Sequence, residues 1–361
     1  MKTFRCSCDN TLYFENTFCL SCRREVGWCP VCKGIHSVDA NGPGGYICTN
    51  PACRASLVKC FNYAFHEVCN RMIAGEPADA EKGHLCDYCR FNETIPDLSV
   101  PGNQEKWYRL EVAKRRLLYN LDLLHLPYGT QAEGFELPLS FDFKADVLPD
   151  SDEVWKTMGQ EERVYTGHAD GKITINIREA DPVAREKLRL DFGESHRTLI
   201  GHFRHEIGHY YWQLLIQGTC EATFKALYGD HENPTYSQAL GQYYQKGAPP
   251  DWQQSYISAY ATMHPWEDFA ETWGAYLDMV SVLDTAENAS LLQIEGEEKQ
   301  DSQFDAMLER YQQIGIKVNE VNRELGLVDL VPEVYSPPVV RKMRFIHHLV
   351  KKASRSRLQM H

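Results

Sequence analysis

The sequence predicts an α+β chain in two parts: a small cysteine-rich amino-terminal region, then a mostly helical domain with a small sheet. Three observations predict it. Twelve of the thirteen cysteines fall between Cys6 and Cys89, and only Cys220 lies outside. Trp107, Leu110, Ala113, Leu117, Leu121 and Leu124 recur at spacings of three and four, the period of an amphipathic helix over about 104–126, with Lys and Arg on the other face. Further on, Phe141–Ala145 alternates like a strand, and Val164–Gly171 followed by Lys172–Ile177 reads as a hairpin turning at Asp170-Gly171.

Length and composition bound the rest. The 361 residues, 43% hydrophobic, can bury a sizeable core and fill two or more domains. No run of about 18 apolar residues exists, so no membrane span is expected. The start, Met-Lys-Thr-Phe-Arg-Cys, lacks the apolar stretch of a signal peptide, so a reduced, cytoplasmic protein is expected. A formal charge of -12 argues against general nucleic-acid binding, which needs a basic face.

In a reducing compartment clustered cysteines mean metal before disulfide. The pairs Cys6-x-Cys8, Cys19-x2-Cys22, Cys29-x2-Cys32, Cys48-x4-Cys53, Cys60-x8-Cys69 and Cys86-x2-Cys89 supply thiolates for tetrahedral zinc. In order they make up to three four-cysteine sites within residues 1–95: Cys6, Cys8, Cys19, Cys22; then Cys29, Cys32, Cys48, Cys53; then Cys60, Cys69, Cys86, Cys89. Interleaved pairing is equally allowed, and His66 competes for a place in the third set. Such zinc-ribbon sites are structural, because all four positions on the ion are filled. They would fold a stretch too polar and Gly-rich, as at Asn41-Gly-Pro-Gly-Gly45, to hold a core unaided. Residues 1–90 hold ten Lys/Arg against nine Asp/Glu, which favours a protein partner or plain scaffolding over nucleic acid.

Asn92–Gly102, punctuated by Pro and Gly, marks a boundary. The main domain is expected over 104–335. Pro127 stops the first helix, and Lys172–Ile177 is the candidate edge strand that an extended peptide could pair with. His168 beside the turn reads as a surface histidine. Asp181-Pro182 starts a helix to about Leu190. Residues 218–255 are expected to be helical, with another helix after Pro249-Pro250, and 300–325 a packing helix. Cys220 reads as a buried thiol. The tail, 336–361, carries seven Lys/Arg and no acid from Arg341 on, and is expected to be solvated; the alternative is docking to an acidic partner, this protein's own acidic surface included.

The chain is organised around His205-Glu206-Ile207-Gly208-His209. Histidines four apart lie on one face of a helix, so both can reach one zinc ion, while Glu206 points elsewhere and can hold the attacking water. Ser195 is the candidate N-cap, and Phe203, Ile207, Leu214 and Leu215 give an apolar face. Gly201 and Gly208 each cost about 1 kcal/mol of helix propensity against alanine, and a glycine beside a ligand lets another segment come close. Leu215 stands where the extended H-E-x-x-H-x-x-G-x-x-H form needs its third histidine, so the third ligand is sought in a later carboxylate. Pro265-Trp-Glu-Asp-Phe-Ala-Glu-Thr-Trp273 supplies Glu267 and Glu271 four apart on a helix that Pro265 would start. One can bind zinc while the other accepts from a ligand histidine.

Glu-Asp-Phe-Ala-Glu-Thr-Trp resembles the E-x-F-A-E stretch of lethal-factor-type gluzincins. That resemblance implies Glu267 as ligand, Glu271 behind it, and Tyr260, seven residues before the ligand, as oxyanion donor. Asp268 or Glu271 as ligand, and His264 or Tyr211 as donor, are the rival assignments. Tyr13-Phe-Glu-Asn-Thr17, Arg90-Phe-Asn-Glu-Thr-Ile-Pro-Asp-Leu-Ser99, Thr166-Gly-His-Ala-Asp-Gly171, Gly201–Trp212 and His264–Trp273 together resemble the bacterial putative zinc-binding metallopeptidase family over nearly the whole chain. The Cys29, Cys32, Cys48, Cys53 set departs from the ribbon of that family. The resemblance implies zinc ribbons followed by a zincin-like metallopeptidase domain, one catalytic and two to three structural zincs, and a peptide or protein substrate. Catalysis would run through His205, His209 and Glu267 on zinc, with Glu206 as general base and Tyr260 on the oxyanion. The competing class is a non-catalytic adaptor whose ribbons bind a protein and whose zincin lobe is a relic.

Overall fold

A computed structural model describes residues 1–76, 83–146, 164–183, 185, 198–291, 303–332 and 334–359. The chain forms two compact units. One comprises Met1–Arg115, Ser140–Thr166 and Thr174–Asp181; the other comprises Arg116–Leu139, Gly167–Ile173 and Pro182–His361.

In the first unit, β1 (Phe4–Arg5) pairs with β2 (Thr11–Leu12). An antiparallel meander follows: β3 (Val26–Cys29), β4 (Gly34–Ala40), β5 (Gly45–Cys48), β6 (Ser56–Lys59) and β7 (Met72–Ala74). The cysteines sit in the loops between these short strands or, as with Cys29 and Cys48, at a strand's last position. Trp28 anchors the apolar side, with Phe4 and Phe14 edge-on to it at 6.0 and 5.9 Å. The Arg71 guanidinium lies over the Trp28 and Tyr88 rings and pairs with Asp87 at 2.5 Å. α1 (Phe61–Ala64) lies between β6 and β7, and β8 (Asn92–Thr94) and the first part of α2 (Asn103–Leu123) follow β7. Trp107, Leu110, Ala113, Leu117 and Leu121 are buried as their spacing requires, whereas Leu124 falls beyond the helix end and is part-exposed. Lys114 and Arg115, expected on the solvent face, are buried instead. Lys114 pairs with the equally buried Glu111 at 2.9 Å, and Arg115 donates to Asn70 Oδ1 at 3.1 Å.

Three further strands are β9 (Ser140–Lys144), β10 (Gly167–Ala169) and β11 (Lys172–Asn176). Asp170 and Gly171 make the tight turn between β10 and β11 with φ of 47° and 84°. A Cβ on Gly171 would lie 2.2 Å from the Pro138 carbonyl oxygen, so only glycine fits. The sheet order is β10-β11-β9-β8. This corrects the expected edge: β11 is interior because β9, distant in sequence, pairs on its far side, and the edge beside it is β10.

The second unit is helical: α3 (Leu199–Leu215), α4 (Glu221–Tyr228), α5 (Tyr236–Lys246), α6 (Pro265–Asn288), α7 (Gln303–Glu324) and α8 (Pro337–Gln359). Ser195 lies outside the described residues, as does most of the expected 181–190 helix; the α3 cap is Thr198, whose Oγ1 accepts from Gly201 N at 3.0 Å. Pro249-Pro250 leads into a single 3-10 turn, Trp252–Gln254, and not an α-helix. Cys220 is part-exposed, its Sγ 3.6 Å from the Leu215 carbonyl oxygen. The tail is not solvated. Val339, Met343, Ile346 and Val350 form a buried stripe on α8, which packs against α6. Among the described residues no helix is long and apolar enough to cross a membrane.

Candidate active site

α3 and α6 meet where Gly208 faces Ala270. A Cβ on Gly208 would lie 2.9 Å from Ala270 Cα and 3.2 Å from Trp273 Cβ, so the backbones touch only because the residue is glycine. That approach brings side chains from both helices to one point. The Nε2 atoms of His205 and His209 are 3.1 Å apart, and Oε2 of Glu267 lies 3.0 and 3.6 Å from them. Metal bonds of about 2.0–2.1 Å in a tetrahedron put ligand atoms about 3.3 Å apart. The three atoms match one face of such a tetrahedron.

The protons say the same. His205 Nδ1 lies 2.6 Å from Glu271 Oε1. A carboxylate only accepts, so Nδ1 carries a proton towards Glu271, and Nε2 is the atom left to face Glu267 and His209. Burial opposes protonation of His205, but hydrogen bonds to Glu267 and Glu271 outweigh it and raise its pKa well above the usual range. Glu267 is held well below the carboxylate range, the histidines outweighing burial. Burial holds His209 below its usual value; its Nδ1 has no hydrogen-bond partner among the described residues, and its ring lies tilted against Trp266 at 3.7 Å.

The rival residues are engaged elsewhere. Asp268, buried, lies 2.5 Å from Lys342 Nζ. Glu271 faces the outer nitrogen of His205. His264 caps α6: Nδ1 accepts from Trp266 N at 3.2 Å and Nε2 donates to the His231 carbonyl at 3.1 Å. The Tyr211 hydroxyl donates to the Pro127 carbonyl at 3.3 Å, its ring stacked on Trp273. Tyr260 is part-exposed with its ring 6.2 Å from His205, and burial followed by the Glu267 charge raises its phenol. Glu206 is buried on α3, and its charge reaches the Tyr236 phenol. His168 Nε2 accepts from Gly171 N at 3.0 Å, closing the hairpin turn, and burial pushes its pKa down to about 4.

Tyr236 was not singled out from sequence. Its hydroxyl donates to Glu267 Oε1 at 2.8 Å. No spacing rule connects residues 31 apart on different helices, so only the fold reveals it.

The twelve amino-terminal thiols gather into three sequential sets: Cys6, Cys8, Cys19, Cys22; Cys29, Cys32, Cys48, Cys53; and Cys60, Cys69, Cys86, Cys89. Five sulfur pairs within them lie 3.6 to 3.9 Å apart, and all the sulfurs of a set lie within 4.8 Å of one another. Zinc–sulfur bonds of about 2.3 Å give edges of about 3.8 Å, whereas a disulfide needs about 2.05 Å. The third set is wholly buried and the first part-exposed. His66 stands outside it, its ring 5.3 Å from Phe61 and 5.5 Å from Trp107.

A family profile described as "Putative zinc-binding metallo-peptidase" matches residues 103–349, and a zinc-ribbon profile matches 3–100. The chain belongs to the putative zinc-binding metallo-peptidase family. Uncharacterized proteins of Mycobacterium tuberculosis and Mycobacterium bovis are 34% identical over 361 residues, covering 98% of this chain and 96% of theirs. No solved structure matches. Family membership and the ribbon match agree with the donor sets: imidazole plus carboxylate on the helical unit, thiolates on the ribbons, both suited to zinc.

Proposed function

We propose that this family member is a working zinc peptidase of the gluzincin type. The carboxylate pair on α6 carries the proposal: Glu267 faces both imidazoles at 3.0 and 3.6 Å, while Glu271 holds the outer nitrogen of His205 at 2.6 Å. His205, His209 and Glu267 would hold the ion and leave one position open. Bound zinc would polarise a carbonyl and lower the pKa of water towards about 7. Glu206 takes the proton of the attacking water and passes it to the leaving amine. The Tyr260 hydroxyl donates to the carbonyl oxygen as it gains charge, a role worth about 10²–10³ in rate. Glu271 fixes the tautomer and tilt of His205. The edge strand β10, packed on α3, offers backbone partners to an extended peptide. The thiolate sets would each hold one structural zinc, chemistry suited to a reducing compartment such as the cytoplasm.

Glu206→Gln should keep its zinc and lose turnover of casein or a peptide library by about 10²-fold or more. Equal turnover by that variant would falsify the mechanism. A purely adaptor role predicts no hydrolysis in the wild type. A peptidase predicts hydrolysis that a chelator removes and zinc restores.

A further inference from the structure

Tyr236 is the first residue of α5. Thr235 caps that helix in a capping box, with Thr235 N donating to Gln238 Oε1 at 3.1 Å, which fixes the backbone where the tyrosine starts. The ring is set by two neighbours from the start of α6: His264 at 5.4 Å and Trp266 at 5.7 Å, both edge-on. These residues flank Glu267. Tyr236 is 37% exposed, yet its hydroxyl turns inward to the buried carboxylate at 2.8 Å. A ring serving only to pack would have left that hydroxyl in water.

The direction of the protons follows from chemistry. Glu267 can only accept, so the Tyr236 proton lies on the bond to Oε1.

We propose that Tyr236 is a positioning residue of the metal site: it occupies Oε1 of Glu267, so that Oε2 alone would face the ion. The proposal rests on Glu267 as ligand. A carboxylate free to turn both oxygens on the ion would fill the position that substrate needs. Tyr236 prevents that without touching the ion.

The test uses the full chain with its thiolate zincs in place, as Tyr236→Phe, Tyr260→Phe and the double variant. Zinc affinity of the His205, His209, Glu267 site is read by chelator competition, and its geometry by the visible spectrum with cobalt. Tyr236→Phe is expected to weaken zinc about 10- to 100-fold and to change the cobalt spectrum, the scale of losing a partner that orients a ligand. Tyr260→Phe is expected to leave zinc affinity within about twofold while turnover falls about 10²–10³-fold. The double variant should bind zinc like Tyr236→Phe. Retention of the thiolate zincs reports folding. Wild-type zinc affinity and an unchanged cobalt spectrum in Tyr236→Phe would overturn the proposal. If the wild type cleaves no peptide while Tyr236→Phe still loses zinc affinity, the peptidase mechanism fails and the positioning of Glu267 stands.

Discussion

Gly208 and Ala270 touch backbone to backbone: a side chain on the first would lie 2.9 Å from the Cα of the second. Alanine at 208 must therefore push α3 and α6 apart, at a cost of about 1–3 kcal/mol as overpacking. The shift carries Glu267 away from His205 and His209, so zinc affinity should fall with stability. Gly274→Ala is the control on the same pair of helices, because its Cβ would meet nothing closer than 3.8 Å. It should be neutral or stabilise by up to about 1 kcal/mol. Melting temperature and zinc content of the two variants decide; equal effects would mean the close approach does not set the site.

Lys342 joins α8 to the residue after the candidate ligand. Its ammonium also donates to the Ser255 carbonyl at 2.9 Å and lies 4.4 Å from the Tyr256 ring centre. Lys342→Met strands a buried carboxylate and should cost about 3–5 kcal/mol. Adding Asp268→Asn removes the stranded charge and should restore part of that loss. Urea midpoints of the zinc-loaded variants measure it. No recovery in the double variant would mean that the lysine stem, and not the charge pair, matters.

Arg115 lies fully buried beside the third thiolate set, where its charge acts on Cys69 and Cys89. Four thiolates on one zinc leave a net negative charge in a dry site, and Arg115 is placed to balance it. Arg115→Met should weaken that site, so that the variant purifies with one zinc fewer than wild type while the other sets stay loaded. Mass spectrometry under native conditions counts the ions.

His347 supplies a pH dependence. Burial first, then the charges of Lys351, His348 and Arg344, push it down to about 4, and its Nδ1 shares a hydrogen bond with the Tyr276 hydroxyl at 3.0 Å, so it is neutral in the folded protein. The unfolded chain takes a proton there near pH 6.5, about where an unperturbed histidine titrates, while the folded chain takes none until about pH 4. Its contribution to stability is therefore present above that upper value and lost progressively as pH falls through the window. His347→Gln keeps an acceptor for Tyr276 and should show a shallower acid-side decline in urea midpoint. An identical slope would assign the decline to other groups.

Legibility in the sequence follows from how local each constraint is. Metal ligands in knuckles and the two histidines four apart on α3 obey short spacings, so the ribbons and the metal-site helix can be read directly. The Trp107–Leu121 stripe is equally local. Lys114 and Arg115 misled because their partners, Glu111 and Asn92 for one, the thiolates and Asn70 for the other, include residues outside the helix. The sheet edge was misplaced because β9 reaches its place from a separate stretch of chain. The α8 stripe, by contrast, was there to be found: Val339, Met343, Ile346 and Val350 recur at four, three and four, and the density of Lys and Arg obscured it.

The ligand candidate Glu267 and the residue that steadies His205, Glu271, ride on one helix, and His205, Glu206 and His209 ride on the other. The three ligand candidates and Glu271 thus have only two moving parts. Any slide or roll of α6 displaces both carboxylates at once, so no intermediate setting keeps one in register while the other drifts. Disturbances that reach this crossing should abolish the chemistry outright.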